Sequence, residues 1–550
     1  MAWLDDARTH ATAERFDEAV VAYRNALQAA PQNIDILLGL SRCLMQLGFL
    51  PESYSHLQTA LSHAPNSVEL LRAIALNLER QDRRFSAIPY LRRLAYLQPE
   101  DSQTRSQLSI LLAGIGATEE SLTHCRKALE LDPGNLGIAA NYLLFLNYSE
   151  SLSTAEIANE HFRVGARFAA GASRMVKRTL SNDKIRIGYL SADFRCHPVG
   201  KIFSSLIGAH DRSKFCVYLY HDSQEDDRFT QKIHRNADHL RKIVGVPNDE
   251  LLFQIRNDHL DVLVDLGGFT GGANRLQLFA QRASPVQVSF LGYPHTTSLP
   301  GMNFRITDQH SDPPSTADRY YAEELIRLNA GMLAWGPYEE CRTLGLERRS
   351  GPPVIGSFNN VSKISLTTLR CWAEILRRHP ETTLLLKYGD RFEVPIVQER
   401  FLRLFCEHGV NPEQIRFHPC VSTLHQHLSI IGDVDLALDS FPYQGTMTSL
   451  ETLSVGSPIV SLAGSYYAHR ATSAMLLRMG FPELVAQDAD EYIGICCELL
   501  SDLDGLRSLR SMIRERFYAC GLTNPSGFMA EFEQRLVHLV SNDVPNSGDF

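Results

Sequence analysis

Between Asp439 and Val460 the chain reads DSFPYQGTMTSLETLSVGSPIV, with a glycine, three hydroxyl side chains and a carboxylate between Gly445 and Glu451. A mostly apolar run, Val434 to Leu438, leads in, and Leu450, Leu453 and Val455 continue at helical spacing. Residues of this kind at a strand-to-helix junction have two uses. Thr446, Thr448 and Ser449 can cap the helix while Gly445 makes the turn. Alternatively, the free amides and the positive dipole end attract an anion such as phosphate. Asp439 closes a buried strand, so the loop lies at the carboxyl edge of a parallel sheet, where open sheets hold ligands; this favours the anion. Beside a diphosphate Glu451 would repel, so it must turn to hydroxyls, those of a sugar or a ribose. Its plainer use is a favourable charge on the helix dipole.

The stretch GSFNNVSKIS repeats the arrangement, with a strand ending at Phe358, a helix starting near Thr367 and Lys363 between them. A loop lysine is commonly just solvated. At the carboxyl edge of a nucleotide-type lobe its compact ammonium can instead neutralise a phosphate leaving group. In GYLSADFRCHPVGKIF, Pro198 suits the first helical position and leaves His197 at the cap. The positive helix end favours a neutral imidazole able to accept a proton, against the plainer reading of a capping or exposed loop histidine. DLGGFTGGANR lacks the GxGxxG spacing of a dinucleotide loop. The DVD triplet, Asp433 to Asp435, has the form of a metal-binding DxD but runs straight into the buried strand LALD. A structural role is expected there, and no essential metal.

The elements that position these loops fall into two series. KIRIGYLS, KFCVYLYH, LDVLVDLGG and PVQVSFLGYP read as short buried strands separated by helical stretches. PPVIGSFNN, TTLLLKYGD, QIRFHP, VDLALDSFP and SPIVSLAG form the second set. Alternating strands and helices predict parallel sheets covered on both faces, here two Rossmann-like lobes, residues 183–335 and 336–540, facing a cleft. Ahead of them Pro31, Pro65, Pro99 and Pro133 stand 34 residues apart; Ala26, Ala60 and Ala128 keep the same step, with Leu94 in the remaining slot. Small residues in packed helices and a proline at each end are the tetratricopeptide signature, so residues 1–145 predict an α-solenoid with a concave groove for extended peptide. Residues 146–182 read as a helical bridge and 541–550 as a disordered tail.

Composition narrows the classes further. A net charge of -9 argues against a general grip on nucleic acid, and 44% hydrophobic with 21% charged residues is ordinary for a soluble chain. The acidic, helical start shows no signal peptide, and no apolar run approaches the length of a membrane span. Eleven scattered cysteines without a CxxC pair predict reduced thiols in a cytoplasmic protein and no zinc site.

The ordered set GYLSADFRCHP, DLGGFT, VQVSFLGYPHTTSLP, RITD, GSFNNVSKI and LDSFPYQGTMTSLETL resembles the nucleocytoplasmic O-GlcNAc transferase and SPINDLY family along nearly the whole chain. That resemblance implies repeats followed by a two-lobed GT-B catalytic region. It implies that His197 is the base or an acceptor-side group and that Lys363 holds the leaving diphosphate. Asn360 stands where the O-GlcNAc transferases have a glutamine near the sugar, and His427 aligns with a histidine packed near the nucleotide, with His425 close by. Gly445, Thr446, Thr448 and Ser449 fall on the phosphate turn, Glu451 replaces a ribose-binding aspartate, and Leu291, Gly292 and Tyr293 match a loop lining the sugar pocket. The implied activity is inverting, metal-independent transfer of GlcNAc from UDP-GlcNAc to Ser or Thr of proteins held through the repeat groove, with no nucleic-acid or membrane partner. The turn departs from the animal Gly-His-Thr-Thr, and FPYQGT, FNN and GYPHTTSLP sit closer to the SPINDLY branch, whose members use GDP-fucose. A protein O-fucosyltransferase is therefore the alternative, and a nucleotide-binding repeat scaffold without catalysis is the rival of another class.

Overall fold

A computed structural model describes residues 2–169, 184–270, 275–345 and 351–541. It divides into two compact units, Met1–Pro133 and Gly134–Phe550.

The first unit is a run of antiparallel helices, Phe16–Ala29, Ile34–Gln46, Leu50–His63, Val68–Arg80, Ile88–Leu97, Ser102–Gly114 and Thr118–Leu131. Its 34-residue step is written into the backbone as well as the side chains. Glu14, Gly48, Asp82 and Gly116 all adopt left-handed φ, at 57°, 83°, 57° and 76°. Each reverses the chain inside a repeat. Asn33, Ser67 and Asp101 each cap the next helix by accepting a backbone amide, which removes one orphan donor per helix start. The predicted small positions are buried where the helices touch, Ala26 at 6% and Ala60 at 0% exposed, and Leu94 fits the same slot at 1%. The helices also frame a cavity of about 560 Å³ bordered by Arg8, Arg42, Arg72 and Arg80.

The second unit begins earlier than the repeat pattern suggests. The helix Leu136–Leu146, counted with the repeats in the sequence, belongs to it, because Tyr466 donates to Asn147 Oδ1 and Tyr148 packs 5.0 Å from Tyr443. The bridge supplies the helix Thr154–Gly165, opened by a capping box at Ser153 and Glu156. Residues 170–183 and the tail 542–550 lie outside the described residues.

Seven strands form the first sheet: β1 Ile185–Ser191, β2 Phe215–His221, β3 His239–Lys242, β4 Val262–Asp265, β5 Val286–Ser289, β6 Phe304–Thr307 and β7 Glu324–Arg327. The second holds β8 Val354–Ser357, β9 Thr383–Leu386, β10 Ile415–Phe417, β11 Leu436–Leu438, β12 Ile459–Leu462 and β13 Val485–Ala486. Strand orders are β3-β2-β1-β4-β5-β6-β7 and β10-β9-β8-β11-β12-β13, all neighbours parallel. Chain order thus reverses beside β1 in one sheet and beside β8 in the other. Such switch points open a crevice at the carboxyl ends of the strands. The loops after β8 and β11 carry Lys363 and Gly445 and meet at the second of these points.

One element departs from the expected lobe boundary. The last helix, Pro525–Ser541, lies in residues assigned by sequence to the second lobe but packs on the first. Phe528 stacks on Phe290 and Phe532 packs against it at a tilt, and Glu533 holds the buried His210 at 2.7 Å.

Candidate active site

A cavity of about 530 Å³ lies between the two lobes. From the first lobe it takes His197, Lys201, Leu291 and Gly292; from the second it takes Asn360, Lys363, Lys387, His427, Thr446, Thr448 and Glu451. Leu144 and Tyr148 of the preceding helical segment complete the wall.

The Gly445 turn is built around Asp439, a fully buried carboxylate. Asp439 Oδ1 accepts from the amides of Ser440 and Gly445 and from Asn359 Nδ2, while Oδ2 accepts from Ser461 Oγ. Burial pushes this carboxyl up, and the hydrogen bonds from Ser461 and Gly445 oppose that. Asn359 Oδ1 in turn accepts from Thr448 Oγ1 at 3.0 Å. Gly445 is required for close packing: a Cβ there would stand 2.8 Å from Asn359 Oδ1 and nearer still to Ser449 Oγ. The helix Met447–Ser454 follows, and Thr446 at its cap position makes no side-chain capping bond. The hydroxyl-capping reading therefore fails at Thr446, and the first amides of this helix have no acceptor within it.

Two expected contacts are turned away. Ser449 is buried and its Oγ pairs with Thr472 Oγ1 at 2.7 Å, so it braces the turn rather than facing the cavity. Tyr293 is buried too; its hydroxyl donates to His161 Nε2 at 2.6 Å, whose Nδ1 proton goes to Ile157 O. Burial holds His161 down at about 4, so this pair is neutral. Leu291 and Gly292 do reach the cavity, Leu291 in a left-handed conformation at φ 65°. A Cβ on Gly292 would collide with the carbonyl of Leu266.

Lys363 ends the short helical turn Val361–Lys363, opened by Asn360, whose side chain accepts from Ser362 N. Its Nζ donates to Gln444 O at 2.9 Å and lies 4.2 Å from the centre of the Tyr443 ring. Desolvation lowers it to about 8, against the pull of Asp439. His197 caps the helix Pro198–Leu206 as the sequence suggests, its Nδ1 accepting from Val199 N at 3.3 Å. Burial lowers its pKa, with Asp193 opposing. An acceptor Nδ1 places the proton of the neutral ring on Nε2.

Glu451 sits past the first turn of its helix, so it does not serve the helix dipole. It is 3% exposed and meets His427 Nε2 at 3.1 Å and Lys201 Nζ at 3.5 Å. Lys387 Nζ donates to His427 Nδ1 at 2.9 Å. His425 is exposed, which selects His427 as the site histidine. In the DVD triplet, Asp435 pairs with Arg507 at 2.8 Å and accepts from Val354 N.

Lys201, Asn359 and Lys387 carried no weight in the sequence, and Asp439 served there only to mark the end of a strand. Lys387 and Asp439 each follow the last residue of a parallel strand, which is the signal that could have found them.

The profile of glycosyl transferase family 41 matches residues 169–333 and 351–531. The chain belongs to this family. A tetratricopeptide profile covers residues 10–76. Over 414 residues the chain is 33% identical to a Petunia hybrida protein named "Probable UDP-N-acetylglucosamine--peptide N-acetylglucosaminyltransferase SPINDLY", covering 74% of this chain and 44% of that one. An Arabidopsis thaliana relative, named SEC with the same activity, is 27% identical over 382 residues, 67% of this chain and 38% of its own. The chain thus spans less than half the length of these curated relatives. Among solved structures, a mutant O-GlcNAc transferase of Thermobaculum terrenum matches with a TM-score of 0.80 and 31% identity, covering 92% of this chain and 97% of that one. Repeats followed by two parallel-sheet lobes in the GT-B manner are thus the architecture of this family 41 member. Among the described residues no helix is long and apolar enough to cross a membrane.

Proposed function

We propose that this family 41 member is an inverting protein O-glycosyltransferase that moves GlcNAc from UDP-GlcNAc to Ser or Thr hydroxyls of proteins. The observation that carries the reading is Lys363, an ammonium held in a largely desolvated pocket beside the open amino end of the helix Met447–Ser454. As the bond from the anomeric carbon to the diphosphate breaks, negative charge grows on the leaving oxygen. Lys363 and the free amides stand ready for it without reorganisation. The acceptor oxygen bonds to the opposite face of the anomeric carbon. Its proton goes to a donor phosphate oxygen, since the hydrogen bond from Val199 N leaves His197 with a proton to give on Nε2. His197 then orients the reacting hydroxyl or the phosphate by donating to it.

Because Lys363 and the helix amides neutralise the diphosphate, turnover is expected to survive EDTA. Loss of activity on chelation, restored by manganese, would reverse that expectation. Eleven cysteines, with no disulfide among the described residues, support a reducing, cytoplasmic setting. GDP-fucose is the second reading, favoured by the Thr-Met-Thr sequence after Gly445. Thermal shift separates the two, because a ligand at a hundred times its dissociation constant stabilises by about 2.7 kcal/mol. A shift with UDP and none with GDP is the expected result; the reverse assigns the fucosyl donor.

A further inference from the structure

Of the lysines around the cavity, Lys363 and Lys387 come from the second lobe and Lys201 from the first. Lys201 sits in the first turn of the helix Pro198–Leu206, which His197 caps. Lys201 reaches across the cleft to Glu451 on the facing helix, at 3.5 Å. The Glu451 oxygen it approaches, Oε1, is buried and makes no hydrogen bond, whereas Oε2 is held by His427. An ammonium at ion-pair distance without a hydrogen bond is loosely committed, and a lysine stem lets it move. Charge is the second observation. Lys201, Lys363 and Lys387 against Glu451 leave a positive surplus that matches the two ionised phosphates of a nucleotide sugar. Without Lys201 the second lobe falls short of that surplus.

Resting on the nucleotide-sugar reading above, we propose that Lys201 is a second phosphate-binding cation, supplied by the first lobe. In the free protein it is parked on Glu451. When the donor enters, a sugar hydroxyl donates to Glu451 Oε1 and Lys201 moves to the diphosphate. The first lobe thereby contributes directly to donor affinity, and an intact donor site needs both lobes.

The test is calorimetric titration of the full chain with UDP, GDP and the matching nucleosides. It compares wild type, Lys201→Met, Glu451→Gln and the double variant, with thermal melts to show that each is folded. Lys201→Met is expected to weaken the diphosphate nucleotide about tenfold and to leave the nucleoside unchanged. The same loss should persist in the Glu451→Gln background, because the lysine acts on phosphate. Recovery of affinity in the double variant would overturn the proposal, reducing Lys201 to a neutraliser of Glu451. Equal affinity of wild type and Lys201→Met would also overturn it while leaving the site reading intact. A folded wild type that binds neither nucleotide overturns the site reading, and the role of Lys201 falls with it. Should Lys201→Met not fold, Lys201→Arg takes its place: it keeps the charge, so it must bind diphosphate within a few-fold of wild type, and a loss as large as tenfold counts against the proposal.

Discussion

Lys363 has to be charged in surroundings that resist charge. Its pKa of about 8 makes the free protein sensitive to mildly alkaline pH. The ammonium is the active form, present below that value and lost as pH rises through it. The apparent kcat/KM for the donor is therefore expected to fall above about pH 8, since that quantity reports the free enzyme. A limb that appears only near the ordinary lysine value of about 10.4 would remove Lys363 from that role. Substitution tests the same residue against His197. Lys363→Ala should cost about a hundredfold or more in both protein transfer and donor hydrolysis, because the diphosphate leaves in each. His197→Ala should lose more of the transfer than of the hydrolysis, since water needs less positioning than a protein hydroxyl. Equal losses in both assays for both variants would erase the distinction. His197 also caps its helix, so the alanine variant should be less stable by about 1 kcal/mol, while His197→Asn, able to cap, keeps its melting temperature.

At the scale of elements, the Gly445 turn leads into Thr446, Met447 and Thr448 of the cavity wall and leaves no room for a side chain. Gly445→Ala brings a methyl against Asn359 and Ser449. Overpacking of that kind typically costs about 1–3 kcal/mol, and here it also displaces the amides at the start of Met447–Ser454. The expected result is a lower melting temperature together with a smaller thermal shift from nucleotide; an unchanged shift would mean that these amides do not touch the ligand. What the sequence made legible depended on repetition and on apolar runs. The prolines, the small helix positions and the left-handed turn residues recur because each repeat meets the same constraint. β1, β2, β4, β8 and β11 are legible because strands buried on both faces must be apolar. β3 was missed because His239–Lys242 is an edge strand of His, Leu, Arg and Lys, mostly exposed. Spacing located the loops but could not say which way Ser449 and Tyr293 point. Nor could it join Lys201 to Glu451, which are 250 residues apart in the chain and 3.5 Å apart in the cleft.

For the molecule as a whole, the division at Pro133 offers a clean cut. Among the described residues none before Leu144 lines the 530 Å³ cavity, whereas Leu144 and Tyr148 do. Removing residues 1–133 should leave nucleotide binding close to that of the full chain and reduce transfer to proteins far more. If a soluble truncation modifies proteins as well as before, the arginine-bordered groove has no part in holding acceptors.

The helix Pro525–Ser541 gives the two lobes an unequal history during synthesis. Multidomain chains generally fold from the amino terminus as they emerge. Here the first lobe, though made before it, lacks its cover for Phe290 and its partner for His210 until that helix has been translated. An emerging chain therefore holds an incomplete first lobe until residues 525–541 have been made, even after the seven strands of its sheet have emerged.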